Sequence, residues 1–171
     1  MITESQRIAS ILSNDLYKSN LKSIEEAESD RIFCKHDMEH FDDVIKIASH
    51  MAKQNHSKVN SEWIYAAGLL HDIGRGREYT DGTPHDEASV EIARVILKEA
   101  GFRSYERLII LNAIRHHRNK TPRFLLNRER SLRSILNKAD KLSRKCYECK
   151  AADLCYWPME KRNREDYFED R

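Results

Sequence analysis

Glycine and proline are scarce here, at five and three among 171 residues. That scarcity excludes a turn-dense β-sandwich, a collagen-like repeat and a low-complexity chain. Apolar runs are short, and none approaches the roughly 20 residues of a membrane-spanning helix. No cationic, apolar signal segment opens the chain, and the stretch from Met1 to Asp15 is amphipathic and polar. The expectation is a cytoplasmic protein with no membrane partner, whose four cysteines are mostly reduced. Disulfide staples are not needed, because a chain of this length buries roughly 70% of its unfolded surface.

What is present favours helices. Charged residues make up 34% of the chain, and Leu, Ile, Ala, Glu, Lys and Arg dominate. Ile8, Ile11, Leu12 and Leu16 recur at helical spacing, and a second short helix follows Asn20. His40, Val44, Ile47, Ala48 and Met51 share one face of a third. Ser61 and Glu62 open a run from Trp63 to Leu70 that is apolar nearly all round, the mark of a buried helix. It stops near Gly74 and Gly76, ahead of a polar loop. Thr83-Pro84, a hydroxyl cap and a first-turn proline, starts a helix that carries Ala88, Ile92, Val95 and Ile96 inward to Gly101. Ser104 caps the next, whose inward stripe is Leu108, Ile109, Ala113 and His116. Leu132, Ile135, Leu136, Ala139 and Leu142 define the last. No stretch alternates with period two, and no repeat of about 20–50 residues is present. The fold class is all-α, a compact bundle of about six to eight helices. It is expected to form a single domain over 1–171, with a cysteine-containing segment at 146–155 and a charged tail at 159–171 that has no assigned role.

The net charge of +2 conceals a split. From Arg103 to Lys145 there are 13 Lys or Arg against three acids, while the remainder carries 17 basic and 25 acidic residues. Such a segment attracts polyanions or simply solvates two helix faces. Neither a helix-turn-helix nor an aromatic base-stacking platform accompanies it, so nucleic-acid binding ranks third among the functional readings.

Charged groups occupy positions that helical periodicity assigns to the core. His36 and His40 lie four apart on the face of Val44 and Ile47. His71, with Asp72 next to it, ends the most apolar segment. His85 sits on the inward side of its helix, His116 and His117 end another, and Asp140 follows Leu136 by one turn. An unpartnered carboxylate in a core costs several kcal/mol. A shared divalent cation is the economical way to satisfy several such groups. Imidazole and carboxylate donors suit Fe, Mn, Zn or Ni.

The doublet His71-Asp72, within A-A-G-L-L-H-D-I-G-R, the upstream His40 in H-F-D-D-V-I-K-I-A and the downstream Asp140 in N-K-A-D-K-L resemble the HD-domain superfamily of metal-dependent phosphohydrolases. The resemblance runs from about His36 to Leu142, some two-thirds of the chain. It implies a helical bundle around a central metal site in which His40, His71, Asp72 and Asp140 hold one ion. Members with two ions add histidines at the places occupied here by His85 and by His116 or His117, and Asp72 would then bridge. His36 is a weaker ligand candidate. The implied activity is hydrolysis of a small phosphorylated substrate, a nucleotide or related phosphoester or phosphoanhydride, by water that the metal activates. Asp72 is then catalytic, and Arg75, Arg118 and Lys141, with Arg115 a further candidate, offset phosphoryl charge. The same residues fit a second reading, a metal-stabilised nucleotide-binding or sensor module without turnover. Two features depart from the family. R-N-K-T-P follows His117 where the cyclic-dinucleotide phosphodiesterase branch carries Gly-Tyr-Pro, and Asp43 stands where many members have Arg.

Cys146, Cys149 and Cys155 form a C-x2-C-x5-C run, and Cys34 is the only other cysteine. Thiolates so spaced suit a structural zinc or an iron–sulfur cluster, with reduced core thiols as the alternative. The oligomeric state is open.

Overall fold

The computed structural model describes residues 6–118 and 131–169. Within these are eight α-helices: α1 (Gln6–Ser13), α2 (Asp15–Ala27), α3 (Met38–Gln54), α4 (Ser61–Leu70), α5 (Arg75–Thr80), α6 (His85–Glu99), α7 (Ser104–Arg115) and α8 (Leu132–Leu142). Three single-turn 3-10 helices follow, and the described residues contain no strand. The all-α expectation holds.

Helix α4 occupies the middle of the bundle, touching α1, α3, α6, α7 and α8. This position explains its composition: with neighbours on every side, Ala66, Ala67 and Leu70 are fully buried. Asn60 caps its start by accepting the Glu62 N–H at 2.8 Å. Gly68 is a contact point rather than a turn, since a Cβ there would sit 2.4 Å from Ile45 Cγ1 on α3. Around this axis α3 packs on α8, α6 on α7, and α7 on α8.

Several expectations need correction. Asn14 breaks the first helix, because its side chain accepts the N–H groups of Leu16 and Tyr17 and so caps α2. Leu16 is consequently exposed and Tyr17 is buried in its place. The polar stretch after Gly74 is a helix, α5. The sixth helix begins at His85 after an extended Pro84, and the Thr83 hydroxyl accepts from Arg77 Nη2 instead of capping it. Val95 of that helix faces outward. Finally, α7 is capped at Arg103, whose N–H donates to Glu106, and not by Ser104; its buried face carries Ile110, Leu111, Ala113 and Ile114, while Leu108 is 68% exposed and Ile109 39%.

The charged tail is tied down. Tyr167 is buried against His50 of α3. Asn163 Nδ2 faces the carbonyls of Lys141, Leu142 and Arg144, which the end of α8 leaves without helical partners.

Candidate metal centre

Five elements deliver the site. His36 precedes α3 and His40 lies in its first turn. His71 and Asp72 terminate α4, His85 opens α6, His117 follows α7, and Asp140 lies in α8. Two groups form around Asp72. His40 Nε2, His71 Nε2, Asp72 and Asp140 gather within 4.8 Å of one another, and so do Asp72, His85 and His117. Asp72 Oδ2 is 3.6 Å from His71 Nε2 and 3.9 Å from His40 Nε2, and Asp140 Oδ1 is 3.8 Å from His40 Nε2. Asp72 Oδ1 faces the second group, at 3.2 Å from both His85 Nε2 and His117 Nε2. One carboxylate therefore offers an oxygen to each group.

The proton inventory explains why these atoms converge. The Nδ1 of His71 lies 2.8 Å from the Gly68 carbonyl and that of His117 2.6 Å from the Ile114 carbonyl. A carbonyl only accepts, so both rings carry their proton on Nδ1. His36 Nδ1 donates likewise to Glu28 Oε1, and His85 Nδ1 to Glu78 Oε2, each at 2.6 Å. His40 Nδ1 faces Ser143 Oγ at 3.4 Å, whose own proton goes to the Asp140 carbonyl. In the neutral rings every Nε2 is thus a bare lone pair. His40 and His71 point theirs at each other across 3.3 Å, and His85 and His117 point theirs at an anionic oxygen. Asp72 Oδ1 and His85 Nε2 are buried without a hydrogen bond. Lone pairs facing lone pairs repel unless a cation stands between them. Ligands about 2.1 Å from a common ion lie about 3.0–3.4 Å apart, close to the spacings seen here. The donor set fits a divalent transition metal, and anchoring of each outer ring nitrogen is what metal-binding imidazoles require.

Electrostatics agree. Burial disfavours charge on three of the rings: it pushes His71 and His85 down despite the nearby Asp72 carboxylate, and takes His40 to about 4 with help from His71. His117 moves up instead, because the Asp72 carboxylate 3.2 Å from its Nε2 outweighs its burial. Burial alone would raise Asp72, but Arg75, His71 and His117 hold it well below the ordinary carboxylate range. Glu28 is similarly drawn down to about 2, burial being outweighed by His36 and the Tyr79 hydroxyl.

His116 stays out of the cluster. It is half-buried, pushed down by burial and by Arg133 and Arg115. The reason is the rotated face of α7: Ile110, Ala113, Ile114 and His117 follow one stripe, so the second histidine of the pair turns inward. His36 comes closer than a weak candidate should, with Nε2 3.7 Å from Asp72 Oδ2. Arg75 Nε lies 3.4 Å from the same oxygen. Arg118 reaches Asp86 at 3.2 Å, and Lys141 Nζ donates to Asn137 Oδ1 at 2.8 Å. All three cations line a cavity of about 990 Å³ that ends at this site, whereas Arg115 does not. Glu28, Glu78 and Ser143, the groups that orient the imidazoles, were not anticipated. Within the basic stretch, residues 119–130, Arg128 and the R-N-K-T-P departure from Asn119 onward among them, lie outside the described residues.

Residues 37–145 match the family model described as HD domain. An uncharacterized protein of Clostridium beijerinckii is 38% identical over 162 residues, covering 95% of this chain and 99% of the relative. The crystal structure of a predicted HD superfamily hydrolase from an uncultured Thermotogales bacterium is similar with a TM-score of 0.59 and 28% identity, over 85% of this chain and 80% of that one. The two clustered groups of ligand atoms, the helices that carry them and the matched residues coincide, and the chain belongs to the HD domain family of metal-dependent phosphohydrolases.

Proposed function

We propose that this protein is a metal-dependent phosphohydrolase acting on a nucleotide or a closely related small phosphoester or phosphoanhydride. The observation that carries the reading is the convergence of bare imidazole nitrogens and two carboxylates at the floor of a cavity with a cationic wall. His40, His71, Asp72 and Asp140 would hold one divalent ion, and Asp72, His85 and His117 a second. Such ions supply Lewis acidity and lower the pKa of water toward neutrality.

The chain's own part is positioning and charge. Asp72 fixes the spacing of the two groups, since its oxygens serve one each. Arg75, tethered between Asp72 and Glu78, presents a guanidinium at the floor, where a phosphoryl oxygen can accept from it. Arg118 and Lys141, each steadied by a neighbour, stand further up the wall. Among the described residues, nine Lys or Arg against five acids line the cavity, which favours a substrate carrying several negative charges. Trp157 and the 78% exposed Tyr156 give the same wall flat apolar surface suited to a base.

The test is steady-state hydrolysis by protein loaded separately with Fe, Mn, Zn or Ni, across nucleotides, dinucleoside polyphosphates and phosphoesters. Turnover that Asp72→Asn abolishes is expected. Tight nucleotide binding with no turnover under any metal would replace this reading with that of a binding module.

A further inference from the structure

The four cysteines remain unused by this chemistry, and they are not scattered. Cys34, Cys146, Cys149 and Cys155 are all free thiols and all line the cavity described above. Each falls just outside residues 37–145, so their gathering is not part of the family match. Cys34 lies near enough to Cys146 and Cys149 that, after burial, their charges are what raise its thiol pKa.

The segment carrying three of them has little to hold it. Residues 146–155 form two single-turn 3-10 helices joined by turns, and Ala151 alone is buried. The apolar residues in and beside it face water: Leu154 is 69% exposed and Met159 also 69%. Side-chain clamps brace its backbone. Arg162 donates to the carbonyls of Ala152, Cys155 and Trp157, each at 2.7 Å, and Arg144 stacks 4.5 Å above the Trp157 ring. Arg31 Nε holds the Cys34 carbonyl at 2.8 Å. Short irregular segments without a core are ordinarily fastened by a metal or a disulfide.

We infer that the four thiolates ligate an iron–sulfur cluster that forms one wall of the cavity. Their number suits it, since such clusters take four Cys ligands. Their spacing disfavours zinc: four thiolates on one tetrahedral zinc lie about 3.8 Å apart, given Zn–S bonds of about 2.3 Å. Among the described residues, no three thiols gather within 4.8 Å of one another, whereas the His and Asp ligand atoms do. A cluster spreads its thiolates over several irons and needs them further apart. Arg31, Arg144, Lys145 and Lys150, which line the same cavity, offset the negative charge that four deprotonated thiols bring.

Acid-labile sulfide is the decisive measurement, because iron held by His and Asp contributes none. The full chain is purified anaerobically and reconstituted with ferrous iron and sulfide, and iron, sulfide and zinc are counted per chain. The expected result is about two or four sulfides, matched by an equal number of thiolate-bound irons. Cys34→Ser, Cys146→Ser, Cys149→Ser and Cys155→Ser should each lose most of the sulfide, while Asp140→Asn keeps it. Sulfide-free wild-type protein overturns the inference, as does one zinc per chain that Cys146→Ser removes. Full sulfide in Cys34→Ser overturns the four-thiolate assignment. The wild-type sulfide count does not depend on any variant folding, and it stands or falls separately from the hydrolysis assay.

Discussion

Gly74, the residue two beyond the His-Asp doublet, is held by space and not by backbone conformation. Its φ of −86° suits any residue, but a Cβ there would meet the backbone of α6, with Ser89 N at 2.4 Å and the Ala88 carbonyl carbon at 2.7 Å. Neither is the end of a flexible side chain that can swing aside. In Gly74→Ala, α6 must therefore back away by roughly 1 Å to restore ordinary contact, and an overpacked core of this kind costs about 1–3 kcal/mol. The Gly74 N–H also donates to the buried Ser89 Oγ at 2.9 Å, and stretching that bond adds about 0.5–1.5 kcal/mol. For a chain of this size each kcal/mol lowers Tm by about 2–4 °C, so a fall of roughly 3–18 °C is expected. The same displacement carries His85, three residues before Ala88, away from Asp72 Oδ1. Sites tolerate about 0.5 Å of misplacement, so the second ion should be lost while the first, held from α3, α4 and α8, remains. Thermal denaturation and metal counting on one preparation test both consequences. A variant with unchanged Tm and full metal content would refute the steric argument.

Further outcomes follow from the site and its supports. His117→Ala should remove one ion per chain, whereas His116→Ala should leave metal content intact, read by metal analysis. Glu78→Gln weakens the acceptor that orients His85 and should loosen the second ion about 10–100-fold in a chelator competition. Glu106, 4% exposed, accepts from Arg7, Trp63 Nε1 and the Arg103 N–H, so Glu106→Gln should cost about 1.5–3 kcal/mol in urea unfolding. Burial alone would raise that carboxyl, but these donors hold it below its ordinary 4.5. Its contribution is therefore complete above the unfolded value near 4.5 and fades as pH falls through the lower folded value, so the mutant and wild-type stabilities should converge in acid.

Much of the bundle was legible because its central helix is extreme. The run from Trp63 to Leu70 has no polar face, so a histidine and an aspartate at its end could only lie inside. His40 and Asp140 were readable for a similar reason, each one turn from residues that are buried. The failures have definite causes. In α7 apolar residues circle the helix, and periodicity could not choose between the stripe of Leu108 and that of Ile110, so it favoured His116 along with His117. Asn14 can cap a helix or sit within one, and the spacing of Leu16 argued for continuity. The short α5, R-G-R-E-Y-T, has too few residues to show a period. Glu28 and Glu78 reach their histidines across turns rather than along one helix, at separations of eight and seven residues, and no pattern in the chain marks such pairs.

Asn163 closes the carbonyl end of α8 from far down the chain, and Asp140 stands in the last turn of that helix. Much of the polypeptide running between those two points also lines the chamber. The amide thereby ties that stretch to the helix that carries the acid, and without it three carbonyls at the helix end would be left to water.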